Sequence, residues 1–134
     1  MEKILIIDDE PEVRAVLREI LVREGFTVEV AADGQVGVAM WRKEPVDLVL
    51  TDIFMPNKDG IETILELKRS RPQAKIIAMT GGGEKKFLEM RAAAGYLGAD
   101  RTLEKPFDRQ TLLAAIRSVL SEQDPARGLV ASVC

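Results

Sequence analysis

Histidine is missing from the 134 residues, and cysteine occurs once, as the final Cys134. Without histidine, no Ser-His-Asp triad, imidazole metal ligand or phosphohistidine can form within the chain. Any phosphohistidine chemistry must use an imidazole from another protein. A lone cysteine excludes an internal disulfide and suits a reducing compartment. Long hydrophobic runs are also lacking: none approaches the ~20 residues needed to cross a membrane. The opening "MEKILIID" leads straight into a strand, so no signal peptide is expected. A cytoplasmic location is therefore expected. Basic runs are absent and the formal net charge is −3, so no direct nucleic-acid contact is expected. No internal repeat or low-complexity segment is found.

Hydrophobic residues make up 46% and charged residues 31%, the balance of one globular domain. Lys3 to Ile7 reads as a first strand running into Asp8, Asp9 and Glu10. Pro11 suits the first turn of a helix, with Val13, Val16, Leu17, Ile20 and Leu21 facing inward and Gly25 as its stop. Phe26 to Val30 alternates as a half-buried strand. Asp33 caps a second helix that Gly34 and Gly37 weaken and that carries Trp41 as a packing residue. "VDLVLTDIFMP", from Val46 to Pro56, is a buried parallel strand ending on Thr51 and Asp52. It breaks at the turn formers Pro56 to Gly60. A third helix uses Ile61, Ile64 and Leu65. Lys75 to Met79 is a fourth strand, followed by Thr80 and the flexible run Gly81-Gly82-Gly83. A fourth helix spans about Glu84 to Ala94, with Gly95 and Gly98 as punctuation. Arg101 to Leu103 is a fifth strand leading to Lys105, Pro106 and Phe107. Asp108 caps the last helix, with Leu112, Leu113, Ile116, Val119 and Leu120 inward. The domain is expected to span 1–121, with 122–134 a disordered tail or linker stub.

Strict alternation of strand and helix implies an α/β fold: a doubly wound, five-stranded parallel sheet with helices on both faces. Five strands suit the flavodoxin-like order 2-1-3-4-5. That order brings Asp8, Asp9, Asp52, Thr80 and Lys105 to one rim, where open α/β sheets place their ligands. Each like-charge carboxylate pair at ~4 Å costs roughly 4 kcal/mol at an effective dielectric near 20. A bound cation or an added proton must offset that repulsion. An all-oxygen, histidine-free site favours Mg²⁺. Three carboxylates, one divalent ion and Lys105 sum to zero charge. A phosphoryl group can then be clamped by the metal, Lys105 and the Thr80 hydroxyl, with Asp52 as nucleophile or acceptor.

The acid pair Asp8-Asp9, "DIFMP" from Asp52, Thr80 after strand four and "KPF" at Lys105 occur together at characteristic spacings. By these motifs the chain resembles the receiver domain of bacterial two-component response regulators, single-domain chemotaxis regulators included, over residues 2 to 121. The resemblance implies phosphorylation of Asp52 by a histidine kinase or phosphotransfer protein. It also implies Mg²⁺ held by Asp9, Asp52 and the Phe54 carbonyl with support from Asp8, and phosphoryl contacts from Thr80 and Lys105. The Lys105-Pro106 bond is expected cis. A regulator of this kind is not an enzyme in its own right, promoting only its own phosphorylation and slow dephosphorylation. Two departures from the family pattern stand out. Thr102 occupies the place where an aromatic switch residue is usual, and the stretch from Thr80 to Lys105 is longer than the family's usual spacing by about three residues.

Bland readings compete at each position. Asp8 to Glu10 could merely complement a helix N-terminus, and Thr80 could be only a strand end. Lys105 could be an ordinary surface lysine. Tyr96 is expected to fill a gap beside the last strand. A Mg²⁺-dependent aspartyl-phosphate phosphatase would want an acid two residues beyond Asp52, where Phe54 stands. A flavin mononucleotide binder would want a hydroxyl- and glycine-rich loop where Asp8, Asp9 and Glu10 stand. The phosphorylation-switched signalling module fits best. Its output, to a protein partner or output domain, is expected from the 80–105 surface, including Lys85, Lys86 and Phe87.

Overall fold

The computed structural model describes residues 2–54, 60–81 and 84–121. The expected turn at 56–59, the glycines at 82 and 83, the side chains at 85–87 and the tail 122–134 lie outside the described residues. The elements alternate as β1 (Lys3–Ile7), α1 (Pro11–Arg23), β2 (Thr27–Ala31), α2 (Gly34–Lys43), β3 (Leu48–Asp52), α3 (Gly60–Ser70), β4 (Ile76–Thr80), α4 (Glu84–Leu97), β5 (Arg101–Glu104) and α5 (Arg109–Ser121). All strand pairs are parallel, in the order β2-β1-β3-β4-β5. The expected fold class and strand order are those observed.

Strand side chains alternate between faces with period two, so a parallel sheet covered on both sides carries two apolar layers. Leu5, Ile7, Val49, Ile76 and Ala78 pack with Val38, Trp41, Ile64, Leu67 and Ala94 from α2, α3 and α4. Ile4, Ile6, Leu48, Leu50, Ile77 and Met79 pack with Leu17, Leu21, Leu112 and Ile116 from α1 and α5. Trp41 is a packing residue as expected, buried in the first layer. Gly37 has a structural reason beyond weakness: a Cβ there would stand 2.7 Å from Ile7 Cγ1. The glycine lets α2 lie close on β1.

Helix ends follow local chemistry. The Asp33 carboxylate accepts from Val36 N, and that of Asp108 accepts from Thr111 N at 2.7 Å. Gly25 leaves α1 with φ +96, the left-handed conformation that glycine adopts without a Cβ penalty. No helix among the described residues is long and apolar enough to cross a membrane.

Several expectations need correction. Val16 is 57% exposed rather than inward, because α1 turns only Leu17 and Leu21 fully onto the sheet. On α3 the fully buried positions are Thr63, Ile64 and Leu67, while Leu65 is half-buried. The second strand begins at Thr27 rather than Phe26; it is an edge strand, and its Val30 is exposed. Helix α4 runs through Gly95 to Leu97 and ends at Gly98, whose φ is +114. Tyr96 therefore lies on that helix, 91% exposed, and fills no gap beside β5. Strand β4 is shifted by one residue, starting at Ile76 rather than Lys75 and including Thr80, and β5 extends one residue further, to Glu104.

Candidate functional site

Strands β1, β3, β4 and β5 all end at the same edge of the sheet. Register pairs Ile7 with Thr51, Asp52 with Met79 and Thr80 with Glu104. Asp8 follows directly on β1, Asp52 closes β3, Thr80 closes β4 and Lys105 follows β5. The backbone locks these ends together: Ile53 N donates to Met79 O at 2.9 Å, and Lys105 N donates to Thr80 O at 2.7 Å. Beyond that bond the Lys105–Pro106 peptide is cis, as the resemblance implies.

Asp8 is fully buried and is held on all sides. Its N–H donates to Ala31 O at 3.1 Å, and its Oδ1 accepts from Glu10 N at 2.9 Å. Its carbonyl accepts from the Arg14 guanidinium at 2.7 Å, and its Oδ2 accepts from Lys105 Nζ at 2.8 Å. Lys105 Nζ also donates to Asp52 Oδ2 at 3.3 Å and lies 3.7 Å from Glu10 Oε1. Asp52 is buried, and its Oδ1 accepts from Phe54 N at 3.4 Å. One carboxylate oxygen from each of Asp8, Asp9, Glu10 and Asp52 falls within 4.8 Å of all the others. Asp9 is half-buried and Glu10 exposed, so the cluster opens to solvent on that side.

Burial drives the Asp52 carboxyl up to about 6, with the Asp8 charge adding to the effect. Lys105 and the Phe54 N–H pull the other way. For Lys105, partial burial pulls its ammonium down, yet the Asp8 and Asp52 carboxylates outweigh it and leave its pKa raised. A single ammonium thus partly neutralises two buried acids, and excess negative charge remains. Four hard oxygen donors with no nitrogen or sulfur fit a small divalent cation such as Mg²⁺.

Thr80 is fully buried, and its hydroxyl donates to Gly81 O at 3.3 Å. Thr102 is half-buried in β5 opposite Ala78, and Phe54 is exposed beside Asp52. Asp8, Asp9, Asp52 and Lys105 thus form one cluster, with Thr80 tied to it through the Lys105 backbone. Glu10 and Arg14 have roles that the sequence reading missed. Glu10 is the third acid around Lys105, where only helix-end complementation was read. Nothing in the spacing of Arg14 distinguishes it from the exposed Arg18 one turn on.

A groove of about 490 Å³ runs from Glu10 and Lys105 along α1, lined by Val13, Val16, Leu17 and Phe107.

Residues 4–117 match the response regulator receiver domain family. The chain is 42% identical to the transcriptional regulatory protein CpxR of Klebsiella pneumoniae, over 90% of this chain and 50% of that protein. It spans about half the length of such curated relatives. It is 36% identical to the chemotaxis protein CheY of Halobacterium salinarum, covering 90% of this chain and 98% of the other. Among solved structures, a CheY-like receiver domain protein from Methanospirillum hungatei superposes with a TM-score of 0.85 at 34% identity, covering 91% and 95% of the two chains.

Proposed function

The chain belongs to the response regulator receiver domain family, a family of phosphoacceptor signalling modules, and from that premise we propose that Asp52 is its phosphoacceptor. The observation that carries the reading is the position of Asp52: a buried carboxylate at the end of the central strand, bonded to Lys105. With its pKa near 6, Asp52 is mostly ionised at neutral pH yet more basic than an ordinary aspartate. Its carboxylate oxygen attacks the phosphorus of a phosphohistidine on a histidine kinase or phosphotransfer protein. The P–N bond breaks, and the imidazole departs from phosphorus with the electron pair of that bond.

Asp9, Asp52 and the Phe54 carbonyl would hold Mg²⁺, with Asp8 in support. The ion would neutralise charge on the phosphoryl oxygens. Lys105 and the Thr80 hydroxyl would take the remaining oxygens. For Lys105 this means letting go of Asp52 Oδ2, and for Thr80 it means leaving Gly81 O. We read the exposed α1 groove as the place where the phosphodonor protein sits, because Glu10 and Lys105 of the acid cluster line it. The output surface is read as the 80–105 segment, acting on a protein partner or on an output domain. Residues 1–121 would form the receiver unit in a cytoplasmic protein.

Incubation with acetyl phosphate and Mg²⁺, followed by intact mass measurement, should add one phosphoryl group to the wild type and none to Asp52→Asn. Undiminished label in Asp52→Asn would overturn the assignment.

A further inference from the structure

Among the described residues, Arg14 is the one cation other than Lys105 that hydrogen-bonds to the acid cluster, and the phosphoacceptor chemistry leaves it without a task. Its guanidinium donates at 2.7 Å to the backbone carbonyl of Asp8, not to a carboxylate. That carbonyl belongs to the peptide joining Asp8 to Asp9. A peptide unit is planar, so fixing its C=O direction also fixes where its N–H points and how the next Cα is presented. The Asp8 side of this unit is already anchored through Ala31 O, Glu10 N and Lys105 Nζ. The Asp9 side has no comparable anchor among the described bonds, and its side chain is only half-buried.

We infer that Arg14 is a positioning residue for the metal site: by holding the Asp8 carbonyl it orients the Asp8–Asp9 peptide, so that the Asp9 carboxylate faces the same point as Asp52. The inference rests on the Mg²⁺ reading above. Its residue requirements are strict. The donor must reach back from the first full turn of α1, which starts only at Pro11. It must also bridge to a carbonyl while lying near several acids without neutralising any of them, which a planar guanidinium fork does well.

Charge alone predicts the opposite sign, so the two accounts separate cleanly. Removing a positive group near a cation site weakens repulsion and favours Mg²⁺. Removing a positioning group lets Asp9 wander and disfavours it. Outer groups that orient metal ligands typically contribute about 10- to 100-fold in affinity, and Arg14→Gln is expected to lose about 10-fold. Arg14→Lys keeps the charge but loses the fork, and should fall between the wild type and Arg14→Gln. Arg18→Gln removes an exposed cation from the same helix and should bind as the wild type does.

The test is calorimetric titration of MgCl₂ into the full chain, with thermal melts of each variant in the absence of Mg²⁺. Weaker binding in Arg14→Gln, with Arg18→Gln unchanged, is the expected result. Equal or tighter binding in Arg14→Gln overturns the positioning role. A lower melting temperature with unchanged Mg²⁺ affinity of the folded protein shows a merely structural role and also overturns it. Should Arg14→Gln fail to fold, the comparison is read from Arg14→Lys, where affinity equal to the wild type overturns the inference. No Mg²⁺ binding by the wild type would instead defeat the underlying metal reading, and the inference with it.

Discussion

Asp52 stores a proton-dependent cost in the fold. Burial lifts its pKa from 3.8 to about 6, so the folded protein holds this proton more tightly than the unfolded chain does. An acid raised in this way leaves the fold at full stability below pH 4, and stability is lost as pH climbs through 4 to 6. The raised value corresponds to about 3 kcal/mol between those limits. Asp52→Asn keeps the shape and removes the titration. Without Mg²⁺ it should be more stable than the wild type by about 2–3 kcal/mol at pH 7.5, and nearly equal to it at pH 4. Urea melts at the two pH values check this, and a difference independent of pH would contradict it. Mg²⁺ binding should show the mirror image. Its affinity is expected to fall below pH 6, as the proton competes for the same carboxylate.

Helix α3 begins against the end of β3 with almost no clearance. A Cβ on Gly60 would lie 2.5 Å from Ile53 Cα and press on the Asp52 carbonyl, and Gly60 N donates to Ile53 O at 2.8 Å. Helix propensity alone says that Gly60→Ala should stabilise by about 1 kcal/mol. The contact is with backbone, which yields less readily than a side-chain tip, so the sign should reverse. Gly60→Ala is expected to destabilise by about 1–3 kcal/mol and to slow acetyl phosphate labelling of Asp52; a raised melting temperature would refute the packing argument. Such contacts cannot be read from a sequence. What was legible was periodic or punctuated: the aliphatic strands, Pro11 and Gly25 around α1, the caps Asp33 and Asp108, and with them the strand order. The acids and the lysine at strand ends were legible because order 2-1-3-4-5 leaves them no other place. Val16 and Tyr96 were misjudged because apolar character says nothing about which part of a helix turns from the sheet. The end of α4 was missed because Gly95 looks like a stop and only the left-handed Gly98 is one. Arg14 was illegible, since its partner is a carbonyl and carbonyls carry no sequence signal.

At the scale of the whole molecule, the sheet divides the interior into two layers, and the site draws on both. In β3, Asp52 shares its side with Leu48 and Leu50, which pack toward α1 and α5. In β4, Thr80 shares its side with Ile76 and Ala78, which pack toward α2, α3 and α4. A phosphoryl group on Asp52 would therefore be loaded from one ply of the protein and felt by Thr80 on the other. Met79 and Ala78 are adjacent in sequence and yet belong to opposite plies. Their methyl groups are thus two reporters on one strand, facing opposite ways. With ¹³C-methyl labels and beryllofluoride as the phosphoryl mimic, the Ala78 resonance should follow α4 and move together with that of Ala94. The Met79 resonance should follow α1 and α5 and move less. Equal displacement of the two would mean that the sheet shifts as a rigid plate, and that the side from which the signal enters is not kept distinct from the side on which it leaves.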